Sequence, residues 1–210
     1  MPIDTKNREY RALTLAPADG DEKIVRGFAT TFRQPYTLWT DGEVELREQV
    51  LREAFDNTDM SDVIMQYNHE GRVFARQKNG TLRLTVTDEG LAIEADLGGT
   101  EIGRQLYDEI RGGYTDKMSY GYSLAEDGAT TDYIGEENGR RVYLRNVRRI
   151  AKLYDVSAVS IPANDTTSIS ARGAFDGLTE RLEVERLEAQ RIETERLRTI
   201  VRARAKGVNT

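Results

Sequence analysis

The stretch TLRLTVTDEGLAIEADL, residues 81–97, alternates apolar and polar residues on both sides of a short polar turn. Alternation with a period of two is typical of a strand that buries one face. Asp88-Glu89-Gly90 supplies residues that favour a tight turn between two such strands. The stretch therefore predicts a β-hairpin and indicates a β-rich fold.

Most of the remaining globular sequence continues the strand pattern, and two segments have helical spacing. ELREQVLREAF carries apolar residues at helical intervals and predicts an amphipathic helix over residues 45–56. Thr100 precedes a second apolar helical pattern that ends at Gly112-Gly113, so it is the expected N-cap. AEDGATTDYIGEENG, residues 125–139, is polar and rich in glycine, which predicts a surface loop. Strands are predicted at residues 10–15 and 23–32 around a turn at 17–22, and at 63–68, 116–124, 140–149 and 152–161.

The order of these elements predicts a β-rich α+β fold for residues 1–170. Strands and helices do not alternate regularly, so a mixed, mostly antiparallel sheet or barrel with helices outside fits better than a doubly wound sheet. After Ala171 the chain becomes dense in Glu, Arg and Leu and lacks proline, which predicts a long charged helix over 171–210. Its leucines and isoleucines recur every five residues and form no heptad stripe, so a partly disordered tail is the alternative.

The composition excludes several classes of site. The 210 residues contain no cysteine and one histidine, His69, so a cysteine nucleophile and a multi-histidine metal site are both excluded. The net charge of −6 argues against a general nucleic-acid binder, and no apolar run is long enough to span a membrane. We therefore expect no metal, no cofactor, no nucleic acid and no membrane as partners.

DKMSYGYS, residues 116–123, presents a candidate nucleophile. On a strand, Ser119 and Gly121 share the face opposite Met118, Tyr120 and Tyr122. The bulky face can pack, while the small face and the missing side chain of Gly121 leave room for a substrate. A structural strand serine is the alternative interpretation.

A serine nucleophile needs a base and a group that orients the base. His69, in QYNHEG at the end of a predicted strand, is the one imidazole in the chain. Asp155 lies in the apolar strand KLYDVSAVSI, where an unpaired carboxylate is unfavourable, and it is the candidate orienting acid. An ion pair between Asp155 and the nearby basic residues Arg148, Arg149 or Lys152 is the alternative.

Three ordered blocks resemble the prohead serine proteases of tailed bacteriophages, a family related to herpesvirus assemblin. They are MQYNHEGRVFARQKNGTLRLTVTDEGLAIEADL, IRGGYTDKMSYGYS and LYDVSAVSIPAND, and together they span about residues 63–165. The resemblance implies a β-barrel surrounded by helices, with Ser119 as nucleophile and His69 as base. Family members often carry glutamate where this chain has Asp155, and assemblins use a second histidine, which this chain lacks.

The resemblance also implies a function in capsid maturation. Such an enzyme is a serine endopeptidase that cleaves scaffold protein, or the scaffolding segment of the major capsid protein, and itself. It acts inside the immature capsid in the host cytoplasm, where the charged C-terminal helix is expected to bind scaffold and residues 171–176 to be a self-processing site. Self-association is a further expectation. A scaffold or assembly protein with little or no activity on the same fold is the alternative, and an unrelated β-rich binding module leaves the three blocks unexplained.

Overall fold

A computed structural model describes residues 9–18, 22–160 and 169–207, with side chains at 15–18, 22–160 and 177–201. The described residues form twelve strands and two α-helices. The strands are β1 (Glu9–Pro17), β2 (Ile24–Thr31), β3 (Tyr36–Thr40), β4 (Val44–Val50), β5 (Ile64–Tyr67), β6 (Glu70–Arg76), β7 (Leu82–Val86), β8 (Gly90–Asp96), β9 (Lys117–Leu124), β10 (Ala129–Glu137), β11 (Arg140–Val147) and β12 (Ile150–Val159), and the helices are α1 (Glu101–Arg111) and α2 (Ile169–Gly207).

The strands form one large and one small sheet. The eight-stranded sheet has the order β6-β5-β12-β9-β1-β2-β8-β7, and the four-stranded sheet has the order β10-β11-β4-β3. Most neighbours are antiparallel, and the parallel pairs are β12 with β5 and β11 with β4. The predicted β-rich, mostly antiparallel architecture is therefore confirmed.

The large sheet is open, so the predicted barrel closure is not confirmed. Its edge strands are β6 and β7, and no ladder joins them within the described ranges. The two edges are linked by residues 77–81, where Gln77–Asn79 form a short 3₁₀ turn. The amide of Gln77 bonds back to Val63 O at 3.0 Å, which keeps the connection on the β5 side. The described residues between 9 and 160 form a single α-helix, α1. The expected ring of helices around the strands is therefore not confirmed either.

The hairpin that indicated the fold forms as predicted. β7 and β8 pair antiparallel from Leu82↔Ala95 to Val86↔Leu91, on either side of the Asp88-Glu89-Gly90 region. Leu82, Leu91 and Ala95 are buried in the core. Helix α1 follows with the predicted cap: Thr100 Oγ1 accepts a hydrogen bond from the amide of Gly103 at 3.0 Å.

The helix predicted over residues 45–56 is wrong. Residues 44–50 form strand β4, whose side chains alternate between buried and half-buried, and a 3₁₀ turn covers Arg52–Phe55. Glu48 points to the buried face and ion-pairs with Arg145 of β11. Because Glu48 is charged but faces inward, the sequence does not show the alternation of a strand. The apolar residues on either side of it, Leu46 and Val50, then have the four-residue spacing of a helix.

The loop predicted over residues 125–139 is also wrong for most of its length. β10 pairs antiparallel with β11 from Ala129↔Val147 to Glu137↔Arg140. Tyr133 and Ile134 are about half exposed, at 55% and 49%, so this strand buries little of either face. The polar composition therefore reflected a solvent-exposed edge strand.

The face of β9 opposite Ser119 is packed as predicted. Met118, Tyr120 and Tyr122 are fully buried in the core cluster, and the two tyrosine rings stack with centroids 5.0 Å apart. These contacts fix β9 in rotation about its own axis, so its other face presents Ser119 and Gly121 in one orientation.

Helix α2 is long and charged, as predicted. The described residues divide into two compact units between Arg172 and Gly173. Glu183–Arg186 and Glu193–Arg196 form ion pairs one helical turn apart, at 3.9 and 3.7 Å. Exposed apolar side chains on this helix are Val184, Leu187, Ile192, Leu197, Ile200 and Val201. None of the described helices is long and apolar enough to cross a membrane.

Candidate active site

Three neighbouring strands of the large sheet bring the candidate residues together. β12 lies between β5 and β9, and it carries Asp155. His69 follows β5, and Ser119 lies on β9. The site therefore depends on the strand order, which joins segments that are distant along the chain.

His69 occupies a strained two-residue turn between β5 and β6. Asn68 and His69 have φ of 49° and 60°, and Tyr67 pairs with Glu70 on either side of them. Positive φ at both central residues is the pattern of a type I′ hairpin, which favours asparagine first and glycine second. The amide of Asn68 donates to Ala158 O at 2.9 Å, and Asn68 Oδ1 accepts from the amide of Ser160 at 3.2 Å. The end of β12 thus holds the turn, and the histidine, in place.

Asp155 contacts His69 directly. The distance from His69 Nδ1 to Asp155 Oδ1 is 2.5 Å, and the Asp155 side chain is 1% exposed. An ionised carboxylate only accepts hydrogen bonds, so Nδ1 carries the proton and donates. The neutral ring then has its lone pair on Nε2, the tautomer that a general base requires.

The alternative role for Asp155, an ion pair with the adjacent basic residues, is not what the structure shows. Lys152 pairs with Asp59 at 2.9 Å, and Arg149 donates to the carbonyl of Glu126. The buried carboxylate is compensated by the imidazole instead.

Ser119 lies on the same sheet face as Asp155. Ser119 is the cross-strand partner of Ser157, and Gly121 is the partner of Asp155. Partners in an antiparallel pair point to the same face, so all four positions share one face. Ser119 is fully buried, and within the described residues its Oγ makes no hydrogen bond, including to His69.

Gly121, the predicted substrate gap, lies directly opposite Asp155. Because glycine has no side chain, the space beside the carboxylate on this face is not filled from β9. Gly121 is itself buried, so the predicted gap is closed in this structure.

Ser157 was missed by the sequence analysis. Its Oγ donates to Asp155 Oδ1 at 2.8 Å, and the residue is fully buried. The signal was present, because residues two apart on a strand share a face and DVS places a hydroxyl next to the carboxylate. The two buried serines therefore differ. The Ser157 hydroxyl donates its proton to Asp155, whereas Ser119 Oγ makes no hydrogen bond within the described residues.

Comparison with known proteins identifies the family of this chain. A family model described as caudovirus prohead serine protease matches residues 8–178. The chain therefore belongs to the caudovirus prohead serine protease family, and this membership supports a role as a capsid maturation protease inside the phage prohead. No curated protein and no solved structure matches the chain significantly.

Proposed function

We propose that the chain is a Ser-His-Asp endopeptidase with Ser119 as nucleophile, His69 as general base and Asp155 as the orienting acid. The single observation that carries this proposal is the 2.5 Å contact between His69 Nδ1 and Asp155 Oδ1, on the sheet face that also bears Ser119. A buried carboxylate that fixes the tautomer of the one histidine is the arrangement that prepares Nε2 to accept a serine proton.

The reaction follows from these positions. Ser119 Oγ attacks the peptide carbonyl carbon while its proton passes to His69 Nε2, and a tetrahedral oxyanion forms. The imidazolium then gives the proton to the leaving amine as the C–N bond breaks, which leaves an acyl-enzyme. Water then attacks the acyl carbon while His69 accepts its proton. The bond to Ser119 Oγ breaks, His69 returns the proton to Oγ, and the peptide carboxylate leaves. Asp155 stabilises the imidazolium in both steps.

Substrate access requires a movement in this protein. Ser119 is fully buried, so a peptide reaches its Oγ only after the segments that cover it shift. Such a movement would also let Ser119 approach His69 to the 2.6–3.2 Å or so that proton transfer needs. Activity that depends on substrate binding or on capsid assembly follows from this burial.

The substrates we propose are the scaffold protein, or the scaffolding segment of the major capsid protein, and the chain itself. Family membership supports capsid components as the substrate class. The proposed self-processing segment 171–176 has a helical backbone in α2 and lies outside the residues whose side chains the structure describes. Because proteases bind extended peptides, cleavage there requires local unwinding of the helix.

Co-expression with the major capsid protein of the same phage tests the function. Wild-type protein is expected to shorten the capsid protein on a gel, and Ser119→Ala or His69→Ala to lower the rate by about four orders of magnitude or more. Ser123→Ala is the matched control, because Ser123 lies on the same strand and is half-buried. Cleavage at the wild-type rate by Ser119→Ala would remove Ser119 from the mechanism.

A second candidate function is an assembly protein with little activity on the same fold. The observation that favours it is the complete burial of Ser119 without a hydrogen bond from its Oγ in the described structure. A fluorophosphonate probe separates the two functions, because it labels an activated serine. Labelling that Ser119→Ala abolishes supports the protease, whereas no labelling, even in assembled proheads, supports the assembly protein.

A further inference from the structure

A cleft opens beside the turn that carries His69, between strand β6 and helix α1. Its volume is about 570 Å³, which is enough for one or two large side chains. Tyr67 and Glu70, the two residues that flank the Asn68-His69 turn, both line it. Glu70 follows His69 in the chain, while the pairing of Tyr67 with Ala158 and Glu70 puts both flanking residues on the sheet face opposite Ser119.

A bulge in β6 forms one wall of this cleft. Met65 of β5 pairs with Ala75 of β6, and the next pair is Tyr67 with Glu70. Residues 71–74 of β6 are therefore left outside the regular ladder. β6 is also an edge strand of the large sheet. Bulges at sheet edges re-aim side chains and leave backbone groups unpaired, and they occur often beside active sites. The wall can therefore offer backbone hydrogen bonds to an extended peptide.

The lining of the cleft combines an apolar floor with a charged rim. Phe74, Ile102 and Leu106 supply apolar surface. Glu70, Glu109 and Arg72 are exposed, and among the described residues none of the three forms an ion pair. Two carboxylates and one guanidinium leave the rim with one excess negative charge. An occupant with an apolar side chain and a neighbouring positive charge is complementary to this lining.

We propose that this cleft binds a segment of the substrate away from the scissile bond and selects a large apolar residue with a lysine or arginine beside it. The apolar side chain packs on Phe74 and Leu106, and the cation lies between Glu70 and Glu109. This proposal rests on the proposed endopeptidase function and names the substrate sequence class that the site accepts.

Peptide binding to the full chain in a Ser119→Ala background tests the proposal without hydrolysis. The probes are short fluorescein-labelled peptides with a central leucine, identical except for a neighbouring Lys, Gln or Glu, and binding is read by fluorescence polarisation. We expect the Lys peptide to bind most tightly. Glu70→Gln with Glu109→Gln should weaken the Lys peptide about fivefold and leave the Gln peptide unchanged, as expected for rim ion pairs.

Two further variants serve as controls. Arg72→Gln should act in the opposite direction and strengthen the preference for the Lys peptide about twofold, because it removes the one cation of the rim. Glu136→Gln removes an exposed carboxylate from β10, in the other sheet, and should change nothing. All four positions are exposed, so thermal melts of the variants are expected to match the parent protein.

The outcomes separate this proposal from the proposed function. The cleft assignment is overturned if no peptide binds, or if the charge variants leave the preference between Lys and Gln peptides unchanged. Charge-dependent binding by a chain that cleaves no protein would retain the cleft and reject the protease. Cleavage of capsid protein combined with an unchanged peptide preference in the charge variants would retain the protease and reject the cleft.

Discussion

Asp155 Oδ1 accepts hydrogen bonds from both His69 Nδ1 and Ser157 Oγ, at 2.5 and 2.8 Å. Two donors on the same oxygen hold the carboxylate in one rotamer, and the buried setting strengthens both bonds. The Asp155 side chain is short, and the tight turn at His69 brings the imidazole within its reach. The same hydrogen bond makes Ser157 a positioning residue for His69 in the proposed mechanism.

Replacement of Ser157 by alanine is expected to lower kcat about tenfold with little change in KM. The lost hydrogen bond to a charged group is worth about 1.5–3 kcal/mol, and part of it orients Asp155 toward the imidazole. Steady-state kinetics on a peptide that the wild type cleaves measures the effect. Ser157→Thr keeps the hydroxyl and should recover most of the rate, whereas equal losses in both variants would indicate a packing role alone.

The β5–β6 hairpin is held at its open end by an ion-pair cluster. Arg76 donates to both carboxylate oxygens of Asp62, with Nε at 2.8 Å from Oδ1, and Lys78 lies 3.1 Å from Asp62 Oδ2. The hydrogen bonds from Arg76, followed by those from Lys78, hold the pKa of Asp62 well below its usual range. The cluster thus couples the start of β5 to the end of β6 and braces the element that presents His69.

Acidification should loosen this hairpin in a manner that depends on Asp62. Because the pKa of Asp62 is lowered in the folded state, its contribution to the stability of the hairpin is complete above the unfolded pKa of about 3.9. This contribution is lost as the pH falls from there. Hydrogen exchange of residues 64–76 is expected to accelerate below about pH 4 relative to the rest of the sheet. Asp62→Asn should show the fast exchange already at neutral pH and lose the pH dependence, and an unchanged acid response would exclude Asp62 as its source.

Strand β4 shows how tertiary context decides the type of an element. Glu48 is fully buried, ion-pairs with Arg145 and accepts a hydrogen bond from the Tyr36 hydroxyl. Arg145 lies 97 positions away along the chain. A buried carboxylate is tolerated only where such partners compensate its desolvation, so the strand exists because β11 and β3 pair with β4.

The two compact units suggest different tasks for the two parts of the chain. The family match ends at residue 178, and most of helix α2 lies beyond it. That part of the helix is dense in charge and exposes apolar residues such as Leu187, Ile192 and Leu197. Such a surface suits the scaffold binding expected of this helix, which would tether the protease to scaffold, and it carries none of the proposed catalytic residues.

Deletion of residues 179–210 is expected to separate packaging from catalysis. Because the deletion retains the whole family match, the truncated protein should keep its thermal stability and its cleavage of co-expressed capsid protein. Its incorporation into proheads should fall about tenfold, as judged by the amount of protease in purified particles. Unchanged incorporation would exclude the helix as a tether, and lost cleavage by a folded protein would assign the helix to the active unit.

Local patterns in the amino-acid sequence were sufficient for the elements that depend on near neighbours. The hairpin of residues 81–97, the Thr100 cap of α1 and the packed face of Met118, Tyr120 and Tyr122 follow from periodicity and turn chemistry, which act over a few residues. The count of one histidine likewise limited the candidate bases to His69.

The tertiary structure was needed wherever distant segments meet. The placement of β12 between β5 and β9 brings Asp155 to His69, adds Ser157 and turns Asp155 away from the basic residues beside it in sequence. The tertiary structure also makes residues 44–50 a strand, because Arg145 compensates the buried charge of Glu48, and it leaves the large sheet open. Strand order and the compensation of buried charge arise from contacts between remote residues, and local periodicity carries no information about them.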